Sequence, residues 1–233
     1  MASLAMSDLT RNQSAIYAQE ASAITIANYN RMAVAYSNGT ANHDVSQNIT
    51  ALLEAINVDG PNVILDLGCG PGRDLCRFKA LGHEVVGLDG SSGFVRIART
   101  KTDCEVLHQD FLKLDLPFAR FDGIFANASL FHVPISQLAQ VLGNLAATLK
   151  SDGVLLCSNP RGNNEEGWVD GRYGCFHNLE TWRTYVADAG FRELYHYYRP
   201  TGRPRAEQRW LVTVWRRISD FSTNSVPSHR CLL

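Results

Sequence analysis

The chain has no apolar run approaching the roughly 18 residues needed to span a bilayer, and no basic N-terminal stretch leading into an apolar one. No membrane association or secretion is expected. It also lacks an excess of either charge: 22 Lys and Arg stand against 23 Asp and Glu, a net charge of −1. A nucleic-acid partner is therefore not expected. The arginines from Arg192 to Arg217 come without an RNA-binding signature. The six cysteines (Cys69, Cys76, Cys104, Cys157, Cys175, Cys231) form no C-x-x-C pair, so reduced thiols, no metal and a cytoplasmic setting are expected. H-E-x-x-H and G-x-S-x-G are missing, which leaves no signature of zinc-peptidase or serine-hydrolase chemistry.

What remains is a well-mixed chain of 233 residues, 45% hydrophobic and 19% charged. That suits one α/β domain with a short extension. Residues 13–56 read as helices interrupted at Asn38-Gly39-Thr40, so 1–56 is expected to be a helical lid and 57–218 the core. The tail 219–233, rich in Ser, Thr, Asn and Pro, is expected to fray. Its end, Arg230-Cys231-Leu232-Leu233, is not a prenylation box.

Within the core, Val63-Ile64-Leu65-Asp66-Leu67 is an apolar strand running into Gly68-Cys69-Gly70-Pro71-Gly72 and a helix over 73–81 closed by Gly82. Glycines let a backbone turn tightly and approach a ligand, and the helix aims its unpaired N–H groups at the same place. Strands at 84–89, 104–108, 121–126 and 154–158 then alternate with helices at 91–101 and 135–149. A long segment over 159–177 precedes a helix at 178–189 and strands at 191–198 and 209–216. The predicted fold is α/β and doubly wound: a Rossmann-like, mostly parallel sheet of seven strands with helices on both faces.

The glycine spacing is not the dinucleotide G-x-G-x-x-G, because Gly68, Gly70 and Gly72 alternate and Asp66 precedes them by two. The pattern D-x-G-x-G-x-G resembles the first motif of class I S-adenosylmethionine-dependent methyltransferases. Asp66 is expected to accept hydrogen bonds from the loop backbone or the ligand's ammonium group, with Gly68, Cys69, Gly70 and Gly72 giving the close surface. Asp89, about 20 residues past the loop, is placed to accept ribose hydroxyls, with Gly90 beside it. Gln109, Asp110 and Phe111 end the third strand and would meet the adenine. Asn127 and Ala128 end the fourth, with Tyr36 reaching over from the lid.

Further strings carry a narrower resemblance. His43 to Asn48, Gln109 to Leu116, Asn127-Ala128-Ser129-Leu130-Phe131-His132-Val133-Pro134, Ser158-Asn159-Pro160-Arg161-Gly162, Glu166-Gly167-Trp168, Arg172-Tyr173-Gly174 and Tyr197-Tyr198-Arg199-Pro200 resemble the methyltransferase domain of the ovothiol biosynthesis enzyme. The resemblance implies N-methylation of the imidazole of 5-mercaptohistidine, or a related thiol or selenol histidine, by S-adenosylmethionine, leaving S-adenosylhomocysteine. His132 and Asn159 are the candidate catalytic residues. Tyr29, Phe131, His132, Asn159, Arg161, Trp168, Arg172, Tyr173 and His177 are candidate contacts to a small zwitterionic, histidine-derived substrate. The sulfoxide synthase domain that precedes the methyltransferase in that enzyme has no counterpart in the roughly 60 residues before the glycine loop. A stand-alone or excised domain, with a separate sulfoxide synthase or lyase as pathway partner, is expected. The Asn/Asp-Pro-Pro-aromatic motif of DNA amine methylation is absent after the fourth strand. Another small-molecule methyltransferase, a non-catalytic S-adenosylmethionine-binding module and a nicotinamide oxidoreductase remain as alternatives.

Overall fold

The structure is a computed structural model and describes residues 2–56 and 58–219; the end of the tail, with Cys231, lies outside them. Seven strands form one sheet in the order β3-β2-β1-β4-β5-β9-β8. These are β1 (Val63–Leu67), β2 (Glu84–Asp89), β3 (Glu105–His108), β4 (Phe121–Asn127), β5 (Leu149–Pro160), β8 (Phe191–Arg199) and β9 (Trp210–Arg217). The first five run parallel, while β9 pairs antiparallel with both β5 and β8.

Consecutive residues of the strands feed opposite faces, so both sides of the sheet are apolar and both are covered. Leu65, Val86, Ile124 and Leu155 pack on one side with α5 (Ile135–Thr148) and α6 (Leu179–Asp188). Ile64, Val85, Phe125 and Leu156 pack on the other with α2 (Ser46–Ala55), α3 (Arg73–Ala80) and α4 (Ser92–Lys101). The parallel run β1, β2, β3 proceeds outward and then reverses to β4. Ligands of open α/β sheets bind at the carboxyl ends of the strands beside such a reversal.

Two regions differ from the sequence reading. The first helix, α1 (Ala2–Thr40), continues through Asn38 and Gly39, and the break falls over residues 41–45. At a helix terminus a glycine costs little, and the Thr40 hydroxyl returns a hydrogen bond to the Tyr36 carbonyl at 2.8 Å. The segment 159–177 is not an irregular loop but contains a hairpin of β6 (Glu165–Val169) and β7 (Arg172–Phe176). Asp170 and Gly171 both take positive φ, 51° and 72°, at its two-residue turn, a conformation that favours Asp-Gly. Among the described residues, no helix is long and apolar enough to cross a membrane.

Candidate cofactor and substrate site

A cavity of about 630 Å³ opens at the carboxyl ends of β1, β2 and β4. Its floor is the glycine loop. Gly68 and Cys69 both donate their N–H groups to the Leu88 carbonyl, at 2.7 and 3.0 Å, and Gly70 donates to Asp89 Oδ2 at 2.9 Å. The other Asp89 oxygen takes the Ser91 N–H at 2.8 Å. Asp89 thus ties the loop to the start of α4, and burial pushes its carboxyl up to about 6.

Asp66 was expected to accept from the loop N–H groups or from the ligand's ammonium group; the loop donors go to Leu88, Asp89 and Cys69 instead. Asp66 is buried off the cavity wall, its Oδ2 without a hydrogen bond among the described residues, and burial, with Asp74 adding to it, raises its carboxyl well above the usual range. Gly72 also lies off the wall. Its φ of +81° starts α3, and a Cβ there would press on Ala98 of α4 at 3.1 Å. Gln109 closes a ring with the Asp115 backbone, donating to its carbonyl and accepting its N–H, each at 2.9 Å.

The roof is one face of α1, since residues three or four apart share a side of a helix. Ser22, Ile26, Tyr29 and Tyr36 line the cavity. Asn30 Oδ1 accepts from Ser91 Oγ at 2.7 Å and from the Gly93 N–H at 3.0 Å, while Ser22 donates to Asp110 at 2.8 Å. Asp110 and Phe111 form the wall after β3, and Asn127 and Ala128 the wall after β4. The Asn127 side chain accepts from Asn48 at 2.9 Å, and Ala128 takes a positive φ of 60°.

Beyond Ala128 sits His132. Its Nδ1 lies 2.5 Å from the Tyr173 carbonyl and its Nε2 lies 2.8 Å from Tyr29 Oη. A carbonyl only accepts, so Nδ1 carries the proton and Nε2 accepts the Tyr29 hydroxyl. Burial pulls the ring down to about 4, keeping it neutral near pH 7, and burial likewise raises the Tyr29 hydroxyl to about 12. Arg172 stands behind Tyr29, 5.5 Å from the ring centroid.

Of the residues singled out from the sequence, Tyr29, Tyr36, Gly68, Cys69, Gly70, Asp89, Gly90, Asp110, Phe111, Asn127, Ala128 and His132 share this cavity. The substrate candidates of 159–177 do not reach its wall. Arg161 donates to the Arg205 and Gln208 carbonyls at 3.0 and 2.7 Å, and Trp168 is exposed on the hairpin against Tyr173. Tyr173 is buried, with its backbone N–H on Thr25, and His177 is buried beside Trp182 and Tyr185. Phe131 packs on the His132 ring at 3.9 Å, and Asn159 is buried on β5, its Oδ1 without a hydrogen bond among the described residues. Ser22, Ile26, Arg73, Phe94, Arg199 and Trp210 line the cavity without having been predicted. The spacing of 22, 26, 29 and 36 along a helix was the available signal for the first two.

Comparison with known proteins gives this geometry a setting. Residues 64–153 match the methyltransferase-domain family model. The aligned part is 32% identical to an uncharacterized methyltransferase of Mycobacterium tuberculosis over 108 residues, 45% of this chain and 54% of that protein. The chain thus spans about half the length of that relative. It is 26% identical to trans-aconitate 2-methyltransferase of Escherichia coli over 188 residues, 78% of this chain and 68% of the relative. A solved structure, the 1,6-didemethyltoxoflavin-N1-methyltransferase of Burkholderia thailandensis, superposes with a TM-score of 0.73 at 21% identity, covering 86% of this chain and 90% of that one. The fold is that of a class I methyltransferase. Within it, the glycine loop, Asp89 and the ends of β3 and β4 line one continuous cavity, roofed by a helix that precedes the matched segment.

Proposed function

We propose that the chain is an S-adenosylmethionine-dependent methyltransferase acting on a small molecule, specifically on an imidazole nitrogen of 5-mercaptohistidine or a closely related thiol or selenol histidine. The observation that carries the cofactor assignment is the Asp89 carboxylate bonded to the Gly70 N–H on the cavity floor. A side chain at Gly68 would strike Ser129 Cβ at 2.5 Å, whereas at Gly70, with φ +53°, no other described residue beyond its chain neighbours comes within 4 Å of where a Cβ would stand. That is a bare backbone surface with room above it, and it fits a nucleoside bearing an amino-acid tail. Asp89 would hold the ribose hydroxyls, Asp110 and Phe111 the adenine, and Gly68 to Gly70 the tail.

The bound cofactor supplies an electrophilic methyl group on a sulfonium centre. The protein's task is then to align the nucleophile and exclude water, and positioning of this kind can contribute roughly 7 to 11 kcal/mol. A neutral imidazole is nucleophilic near pH 7, since its reference pKa is about 6.5. Tyr29 donates to His132 and accepts a long bond from Arg172 at 3.4 Å, and its second oxygen lone pair would take the N–H of the substrate's second ring nitrogen. Held by that N–H, the substrate ring would present its other nitrogen to the methyl group.

The narrower substrate rests on the resemblance of the strings around Asn127 to Pro134 and Ser158 to Gly162, and on the Tyr29–His132 pair. A carboxylate acceptor is the second reading, favoured by the similarity to trans-aconitate 2-methyltransferase. The test is incubation with S-adenosylmethionine and a panel of 5-thiohistidine, 5-selenohistidine, histidine and trans-aconitate. Formation of N-methylated thiohistidine with stoichiometric S-adenosylhomocysteine is expected. Turnover of the tricarboxylate alone would replace the first reading with the second.

A further inference from the structure

Arg199 and Asp44 face the cavity from elements the cofactor assignment does not use. Arg199 ends β8, at the edge of the sheet opposite β3 and well away from the strands that carry Gly68, Asp89 and Asp110. Asp44 lies between α1 and α2. Arg199 donates one N–H to the Asp44 main-chain carbonyl at 2.7 Å, which brings the two residues together. Yet among the described residues no ion pair within 4 Å joins their charged groups, and neither takes part in any other.

The other charged groups on the wall are paired with one another or belong to the proposed cofactor site. Arg73 is neutralised by Asp74, with contacts of 2.8 and 2.6 Å, and also donates to the Thr40 carbonyl. Asp89 accepts backbone N–H groups on both oxygens, Asp110 takes the Leu112 N–H and the Ser22 hydroxyl on Oδ1, and both serve the proposed cofactor site. Asp44 Oδ1 accepts the Ser46 N–H at 2.9 Å, and its exposed carboxylate keeps lone pairs for a further donor. Hydrogen bonds from the Ser46 backbone and side chain, with Arg77 and Arg199 adding to them, hold the Asp44 carboxyl below its usual range, so it is ionised at neutral pH. A cation and an anion held side by side by main-chain bonds, without neutralising one another, match a ligand that carries both charges on adjacent atoms.

We propose that Arg199 and Asp44 form the subsite for the α-carboxylate and α-ammonium groups of an amino-acid substrate, Arg199 taking the carboxylate and Asp44 the ammonium. The inference rests on the proposed function for the identity of the reacting ring, but not for the charge pattern. Planar guanidinium is suited to forked binding of a carboxylate, a geometry lysine does not reproduce. The subsite would fix one end of the substrate while Tyr29 and His132 hold the other.

The experiment compares kcat/KM for 5-thiohistidine and for its decarboxylated amine, in the full chain and in Arg199→Gln, Arg199→Lys and Asp44→Asn. The full chain is expected to prefer the amino acid by roughly 10- to 100-fold, as for a charge-assisted hydrogen bond. Arg199→Gln should erase that preference by raising KM for the amino acid alone, and Arg199→Lys should retain part of it. Loss of the Asp44 carbonyl contact by itself would slow both substrates alike and leave their ratio intact. That outcome, or an unchanged ratio in a folded Arg199→Gln, would overturn the assignment. If trans-aconitate is turned over instead and Arg199→Gln raises its KM, the carboxylate role stands while the histidine reading falls. If no acid is turned over, calorimetry of 5-thiohistidine and trans-aconitate on the S-adenosylhomocysteine complex decides: absence of binding by either overturns both readings, and binding that Arg199→Gln weakens sustains the subsite.

Discussion

Asp89 Oδ2 accepts the Gly70 N–H at 2.9 Å, joining the end of β2 to the middle of the glycine loop. The bond explains how one carboxylate can shape the loop and still face the cavity. Burial raises its carboxyl to about 6. A group whose folded pKa is raised binds a proton more readily in the fold, so its ionised form costs stability above the ordinary carboxylate range. Cofactor binding has the opposite preference, because ribose hydroxyls donate to the charged form. Calorimetric affinity for S-adenosylhomocysteine is therefore expected to be flat above about pH 7 and to fall as pH drops through 6. In Asp89→Asn the affinity should be weaker by roughly 10-fold or more and its dependence in this window absent.

At Gly68 the backbone sits at φ +78°, and a methyl group would lie 2.5 Å from Ser129 Cβ and 3.3 Å from the Phe111 ring. Gly68→Ala should lower stability by about 1–3 kcal/mol in denaturant melts, from strain and displacement of Ser129. Cofactor affinity should fall with it. A protein of unchanged stability that still binds S-adenosylhomocysteine normally would show that this turn tolerates a side chain.

Removing the Tyr29 hydroxyl takes away the partner of His132 Nε2 without changing the ring stack. For Tyr29→Phe we expect turnover to drop by roughly 10- to 100-fold, with S-adenosylhomocysteine binding little affected. His132→Ala should behave alike, and the double variant should lose no more than the worse single one, because the two act as a unit. Since His132 stays neutral down to about pH 4, kcat should show no inflection near 6.5 from this residue; one that vanished in His132→Ala would contradict the assigned proton.

Trp182 Nε1 donates to Thr213 Oγ1 at 3.0 Å with both side chains buried. Thr213→Val keeps the shape and strands that N–H, which should cost about 1–3 kcal/mol by thermal or chemical unfolding. Activity per folded molecule should be unchanged. A melt indistinguishable from the parent chain would mean that Trp182 finds another acceptor.

Sequence alone carried the parts of this protein that depend on neighbours along the chain. Val63 to Leu67 alternates between two apolar faces, Gly68, Gly70 and Gly72 demand positive φ, and an acid ends the next strand at Asp89; each is a local requirement that a reader of the sequence can recognise. The alternation of strands and helices then leaves few ways to order a right-handed sheet. The hairpin at 165–176 was legible only through Asp170-Gly171, because Glu165 and Glu166 hide its strand character and its pairing is cross-strand. Tertiary structure decided which side chains share a space. Arg161, Trp168 and Arg172 have the composition of a substrate loop, but hydrogen bonds and ring contacts formed on folding turn them to carbonyls at 205–208, to Tyr173 and to Tyr29. Arg199 comes to the cavity from a strand more than a hundred residues beyond Asp89, and only the packing of β8 beside β9, with α1 and α2 closing over the strand ends, places it opposite Asp44. Side-chain direction at such distances is fixed by long-range pairing and burial, and these leave no periodic trace in the chain.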